Sequence, residues 1–209
     1  MSHRPAALRS DRRAPILLIC LLAWFTPAGV VDAQPNADGD LREYYSANGL
    51  ANRGLYELAA TEYRAFLASH ERHEKAATAR YGLAVCLFRS KQYAAAAEEL
   101  ETLASQPKFV YAAETATMLG QCRLIQGQFN PAAKVFGRVV EKFADHDLAD
   151  DAMLGRGEAL YRGGSHEQAA RVLEQMLERW SDSPLRDRAD YFCALAQIAR
   201  NEFEPAAAH

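Results

Sequence analysis

Residues 91–103 read KQYAAAAEELETL, with four alanines between a tyrosine and an acidic run. Ala, Glu and Leu are strong helix formers, so helical propensity alone would account for this stretch. It also contains a spaced pattern: Tyr93, then Ala96 three residues later and Leu100 seven residues later. This second feature decides the fold because it recurs along the chain.

The spacing occurs five times, with histidine replacing the aromatic residue in the fourth copy. The copies are Tyr56–Ala59–Tyr63, Tyr93–Ala96–Leu100, Phe129–Ala132–Phe136, His166–Ala169–Leu173 and the incomplete Phe203–Ala206. Their first members are 37, 36, 37 and 37 residues apart. A period this regular indicates a repeat architecture.

Each unit is interpreted as two helices. A small residue lies nine positions before the turn aromatic in every unit: Ala47, Ala84, Gly120, Gly157 and Ala194. The residue two positions before the aromatic is Gly54, Lys91, Gly127, Gly164 or Asn201. Gly and Asn tolerate the left-handed conformation that ends a helix, so the first helix should stop there. We expect the small residue to face the alanine of the second helix.

The predicted helices are all of similar length. They are 41–53, 56–69, 74–90, 93–105, 110–126, 129–143, 148–162, 166–180 and 185–200. One helical hairpin cannot cover its own apolar face, so the units must stack around a continuous core. The fold class predicted is therefore all-α.

These positions resemble the signature of the tetratricopeptide repeat (TPR) family, which has a small residue in helix A, a turn aromatic, then alanine and a large apolar residue in helix B. The resemblance implies a right-handed α-solenoid over residues 41–209, with repeats at 41–73, 74–109, 110–146, 147–183 and a partial one at 184–209. The units exceed the usual TPR length and are similar to those of exported bacterial members. Examples are the outer-membrane barrel-assembly lipoprotein and the Tol–Pal-associated periplasmic coordinator.

Residues 1–33 are predicted to be a signal peptide, followed by a short linker at 34–40. Four arginines precede the apolar run PILLICLLAWF, and Val31 and Ala33 are spaced as signal peptidase requires. The alternative is a membrane anchor, but Ile16–Val31 is shorter than a bilayer span and contains Pro27. We expect cleavage before Gln34, a periplasmic or secreted product, and no stable membrane span after cleavage.

Charge and cysteine content exclude several classes of function. Without the leader the net charge is −5, and charges alternate with no basic stripe, which argues against nucleic acid as a partner. Cys86, Cys122 and Cys193 remain, and an odd number cannot form a complete disulfide framework. We interpret all three as small buried apolar residues.

Motifs for catalysis or cofactors are weak. His70 with His73, and the acidic residues Asp145 and Asp147 around His146, are the nearest approach to metal ligands, but both groups lie in inter-repeat turns. No phosphate-binding glycine loop or nucleophile motif is present in the sequence. We therefore expect no cofactor, no metal and no enzymatic activity.

The TPR resemblance implies a ligand groove lined by the first helix of each unit. The groove positions lie 12, 8, 5 and 4 residues before the turn aromatic. The candidates there are Tyr44, Asn48, Tyr81, Arg89, Gln121, Glu158, Tyr161, Arg162 and Tyr191. Tyr and Arg are enriched at binding hot spots, although ordinary packing and solvation would also explain these residues. The implied partner is an envelope or periplasmic protein or peptide.

A different hypothesis is that the chain is a structural part of a larger or self-associating TPR protein with no groove ligand. The fifth unit ends at NEFEPAAAH, without a second helix or a polar capping helix. Repeat arrays need caps to remain soluble. This hypothesis predicts association through the C-terminal end.

Overall fold

The computed structural model describes residues 41–106 and 108–203, with side chains described as far as residue 200. Within these residues the chain forms nine α-helices and no strand. The helices are α1 (Arg42–Asn52), α2 (Tyr56–Ser69), α3 (Ala76–Arg89), α4 (Tyr93–Ala104), α5 (Ala112–Ile125), α6 (Phe129–Lys142), α7 (Ala149–Arg162), α8 (His166–Arg179) and α9 (Arg186–Phe203). The nine predicted helices are therefore confirmed, and the predicted leader and linker lie outside the described residues.

The repeated apolar positions form the core. The alanines three residues after the turn position, Ala59, Ala96, Ala132 and Ala169, are all fully buried. The large residues four positions later are also buried, as predicted. One detail differs from the sequence interpretation: a side chain on Gly120 would first meet the ring of Phe136, and one on Gly157 would first meet Leu173. The small residue therefore makes room for the large apolar side chain, not for the alanine.

All four described turns between paired helices end the first helix in the same way. Gly54, Lys91, Gly127 and Gly164 have φ values of 75°, 60°, 74° and 81°. In each turn this residue donates its N–H to the carbonyl three residues back, and the next residue donates to the carbonyl five back. This is the Schellman arrangement, which satisfies the last helical carbonyls. Three of these four residues are glycines, and Lys91 adopts the same left-handed conformation although it has a Cβ.

Three of the turns that connect one repeat to the next share a second capping interaction. Nδ1 of His73 accepts the N–H of Lys75 at 3.1 Å, and Nδ1 of His146 accepts that of Leu148 at 3.2 Å. Ser183 Oγ does the same for the N–H two residues further on, at 3.1 Å. Because the first N–H groups of a helix have no helical partner, these side chains help to start α3, α7 and α9. Of the three histidines that sequence inspection considered for metal binding, His73 and His146 make this structural contact.

The turn before α5 is different. Phe109 occupies the position of these capping residues and cannot accept a hydrogen bond. This unit is also the one with a 36-residue spacing, and α4 has 12 residues where α2, α6 and α8 have 14. α4 thus ends two residues early, and α5 begins 19 residues after the start of α4 instead of the 20 found in the other repeats.

Consecutive helices pack against each other throughout the described array, and the odd-numbered helices also contact one another directly, as α1–α3, α5–α7 and α7–α9. The odd helices therefore line the inner, concave face, and the even helices lie on the outer face. Two hydrophobic clusters form the core and meet at α5 and α6, where Ala116 packs against both.

Two further properties belong to the described chain. Cys86, Cys122 and Cys193 are free and buried, as the sequence predicted. Burial raises the pKa of the Cys86 and Cys122 thiols to about 11. Across residues 41–106 and 108–203, none of the helices combines the length and apolar character needed to cross a bilayer.

Candidate functional site

The candidate site is the concave face of the odd helices, and aromatic side chains dominate its first half. Tyr44 of α1 is half-buried, with its ring centroid 5.5 Å from that of Phe66 and Nζ of Lys75 5.8 Å from its own centroid. Tyr81 holds the equivalent position on α3 and stacks on Tyr111 at 5.1 Å. These contacts hold each ring between its own repeat and the following turn.

Tyr81, Tyr111 and Phe109 form one aromatic wall. The ring centroids of Phe109 and Tyr81 are 6.0 Å apart, and those of Phe109 and Tyr111 are 5.7 Å apart. Burial raises the pKa of the Tyr81 phenol, and the nearby Glu114 carboxylate raises it further. Tyr81 therefore stays neutral and can donate or accept a hydrogen bond beside an anionic group.

Two side chains of α5 carry buried polar atoms without a partner among the described residues, and one of them, Glu114, lies near Tyr81 of this wall. Glu114 Oε1 is 3.7 Å from Nε2 of His146, while its Oε2 is buried and has no hydrogen-bond partner among the described residues. Thr117, which holds the Tyr44 and Tyr81 position on α5, is 4% exposed, and its hydroxyl also has no partner in this part of the chain. Buried polar atoms are normally hydrogen-bonded, so each unpaired one needs an explanation.

An ion network crosses the concave face between α7 and α9. Glu158 is buried and accepts from Arg162 at 2.7 Å and from Arg188 at 3.4 Å. Burial raises the pKa of the neighbouring Asp151, as does Asp150, while Arg188 lowers it. Glu158 was predicted as a groove residue, but its carboxylate is occupied by two guanidinium groups, so it orients Arg162 and Arg188 rather than presenting a free charge.

Aromatic side chains also lie at the other end of the concave face, on α7 and α9. Tyr161 is half-buried, with its ring centroid 6.0 Å from that of Phe192 and 5.5 Å from that of His166. Tyr191 packs edge-on against Phe192 at 5.3 Å and is 60% exposed. A partner could therefore contact Tyr191 directly, and Tyr161 at its edge.

The remaining predicted residues have different surroundings. Asn48 Oδ1 accepts the hydroxyl of Tyr63 at 2.6 Å, and burial raises the pKa of that phenol. Gln121 is half-buried on α5, between the aromatic wall and the ion network along the array. Arg89 is exposed and lines a shallow depression with Gly54–Leu58, at the edge formed by the turns. Asn48 therefore has a positioning role, and Arg89 lies at the rim.

Sequence reasoning missed four side chains of this face, Glu114, Arg188, Tyr111 and Phe109. Glu114 and Arg188 lie 15 residues before their turn positions, one helical turn ahead of the first register considered. Extending the register by that turn would have found both. Phe109 and Tyr111 carry no periodic signal, because they belong to the turn of the shorter unit.

Chemistry other than binding has little support in the described residues. No group of three or more His, Cys, Asp or Glu side chains is placed to hold a metal ion within residues 41–106 and 108–200. His70, the other histidine considered, stacks on Phe66 with ring centroids 4.9 Å apart. The face offers aromatic surface, the part-exposed Glu114 carboxylate and a fixed ion network, which are means of recognition.

Comparison with known proteins agrees with this architecture. The family model described as "Tetratricopeptide repeat" matches residues 46–108 and 117–184. No curated protein sequence matches the chain significantly.

Among solved structures, the nearly identical TPR-like repeats from Podosopora anserina are similar with a TM-score of 0.62 and 18% identity, covering 78% of this chain and 88% of that one. YrrB, a TPR protein with an unusual peptide-binding site, is similar with a TM-score of 0.62 and 22% identity, covering 78% of each chain. MamA from Desulfovibrio magneticus RS-1 has a TM-score of 0.58 and 14% identity, covering 80% of this chain and 98% of its own. At these identities the likeness concerns the fold.

Proposed function

The chain belongs to the tetratricopeptide repeat family, and from this premise we propose that it is a protein-interaction scaffold that binds a peptide or helix along its concave face. The observation that carries the proposal is the aromatic wall of Tyr81, Phe109 and Tyr111, with the part-exposed Glu114 carboxylate beside it. A peptide supplies both apolar surface to cover the rings and N–H donors for the carboxylate.

The physical case for binding rests on contacts that the exposed part of the face can make with a ligand. A hydrogen bond to a charged group contributes about 1.5–3 kcal/mol, and the Glu114 carboxylate, whose side chain is 31% exposed, can accept one from a bound N–H or ammonium group. Tyrosine rings add contact area at small entropic cost, because few torsions are fixed on binding. The Glu158 network keeps Arg162 in place at the far end, where it can meet a carboxylate of the ligand. YrrB provides a precedent for a peptide-binding site on this fold.

A direct test is selection of ligands from a random-peptide library displayed on phage, followed by affinity measurement with purified variants. We expect Tyr81→Ala and Glu114→Gln each to weaken the selected peptides by about 10–30-fold, equivalent to roughly 1.4–2 kcal/mol. Leu58→Ala is the matched control, because Leu58 is 57% exposed on α2 of the outer face. Equal losses in all three variants would contradict the concave site.

The proposal includes a cellular location. The basic segment, apolar run and small residues of positions 1–33 support export, so the partner would be an envelope or periplasmic protein. N-terminal sequencing of the exported product should begin at Gln34. An uncleaved chain in the membrane fraction, or a product that stays in the cytoplasm, would exclude this part of the proposal.

A second candidate is a structural unit of a larger or self-associating assembly. It is favoured by α9, whose Tyr191 and Ile198 are 60% and 55% exposed. Light scattering over a dilution series distinguishes the two candidates. A monomer at every concentration supports the scaffold, whereas association that Ile198→Glu abolishes supports the structural unit.

A further inference from the structure

The outer face holds a groove whose charge is opposite to that of the chain. The groove lies along α6, encloses about 870 Å³, and includes Arg156 and Leu160 of α7 and Ser165 at the start of α8 in its lining. Four of its lining residues are cationic, namely Arg123, Lys134, Arg138 and Arg156, and one, Glu141, is acidic. The whole chain has a net charge of −3, so this concentration of positive charge is local.

Most of these cations have no internal partner. Arg123 pairs with Glu101 at 2.8 Å, but Lys134, Arg138 and Arg156 form no ion pair with any described acidic side chain. Arg156 is half-buried, and its guanidinium lies 3.5 Å from the point where a Cβ on Gly137 would stand. The guanidinium therefore lies against α6 at a position where the helix has no side chain. Cations that repel one another in a groove raise the local affinity for an anion.

From this arrangement we propose that the α6 groove is a second interaction surface, which binds an extended acidic segment of a partner protein. It is separate from the concave site, because α6 lies on the outer face. Lys134 and Arg138 are one helical turn apart, which places them about 5–6 Å from each other. Alternate side chains of an extended chain are about 6.6–6.8 Å apart. A segment with acidic residues at alternate positions therefore matches the two cations, while Arg156 faces it from α7.

The dimensions favour a peptide over a small anion. Lining residues run from Asn130 to Glu141 on α6, about 16 Å at 1.5 Å per residue. That length holds about five residues of an extended chain. The exposed surface of α4 beside the groove is acidic, with Glu98 and Glu101, whereas that of α8 carries both signs, with Arg171 and Glu174. A membrane or a nucleic acid backbone would extend over the carboxylates of α4, whereas a narrow peptide can stay within the groove.

Fluorescence anisotropy with a fluorescein-labelled peptide, Gly-Glu-Ala-Glu-Ala-Glu-Gly, tests this proposal. Lys134→Glu with Arg138→Glu should weaken binding by about tenfold or more. The matched control is Arg64→Glu with Arg171→Glu, which changes net charge equally at exposed positions of α2 and α8. The control should change affinity by less than about twofold. Lys134, Arg138 and Arg64 are exposed and form no ion pair with a described acidic side chain, and the Arg171–Glu167 pair is exposed, so both double variants should keep the wild-type circular dichroism spectrum.

Four outcomes would overturn the proposal. Equal weakening in both double variants would show that only net charge matters. Binding of the matching glutamine peptide at the same affinity would exclude recognition by charge. Binding to phosphatidylserine–phosphatidylcholine vesicles without binding to the peptide would identify a lipid surface instead. Tyr81→Ala should bind the acidic peptide like wild type, and a loss comparable to that of the groove variant would place the peptide on the concave face.

Discussion

The contact between repeats three and four predicts a specific response to adding one methyl group. The ring of Phe136 is 1% exposed and lies between Gly120 of α5 and Gly155 of α7. A Cβ built on Gly155 would approach this ring to 2.6 Å, and one on Gly120 to 2.7 Å. The ring cannot move away from α7 without moving into α5. Gly155→Ala should therefore force these two concave-face helices apart.

The expected magnitude combines two terms of opposite sign. Replacing glycine by alanine inside a helix stabilises it by about 1 kcal/mol. Overpacking a well-filled core costs about 1–3 kcal/mol, and the upper part of this range applies because the ring is enclosed on both faces. The net expectation for Gly155→Ala is destabilisation by about 1–2 kcal/mol. Gly49→Ala in α1 is the matched control, since no atom lies within 4 Å of the added Cβ, and it should stabilise by up to about 1 kcal/mol.

The assay is thermal and urea unfolding followed by circular dichroism. For a domain of this size about 1 kcal/mol corresponds to a shift in Tm of about 2–4 °C, so the two variants should move in opposite directions. Adding Phe136→Leu should cost less in the Gly155→Ala background than in wild type, because the smaller side chain relieves the contact. If both glycine variants stabilise the protein, Phe136 does not fill the space between α5 and α7 as described.

Three further predictions concern other parts of the array. Lys91→Gly should stabilise the protein by about 1 kcal/mol in urea unfolding, because Lys91 has φ of 60°, and an unchanged midpoint would show that the turn carries no strain. The raised pKa values of Cys86 and Cys122, about 11 against 9.0, mean that the folded state holds these protons more tightly. The preference of the folded state for these protons contributes fully to the free energy of unfolding below pH 9, and this contribution is lost between pH 9 and 11. The variant with both cysteines replaced by alanine should therefore lose less stability over that interval than wild type. Amide hydrogen exchange should be faster in α9 than in α4–α6, because α9 has no described helix packed after it, and equal protection in a monomer would contradict this.

Much of this protein was determined by its sequence alone. The nine helices, the four left-handed turn positions and the buried alanines at +3 all follow from a period of 36–37 residues. The physical reason is that each of these features depends on contacts within one helical hairpin. Such contacts join residues at short, constant separations, so their spacing is visible along the chain.

Only the tertiary structure decided which side chains are free and which are occupied. Glu158 is neutralised in part by Arg188, 30 residues away, and Arg156 joins Lys134 in the outer groove although neither belongs to the repeat signature. The same is true of Glu114, whose one oxygen faces His146 while the other has no described partner. These relations depend on how far one repeat is rotated against the next. That rotation follows from packing, such as a ring held between two glycines, and packing between repeats leaves no periodic pattern in the sequence.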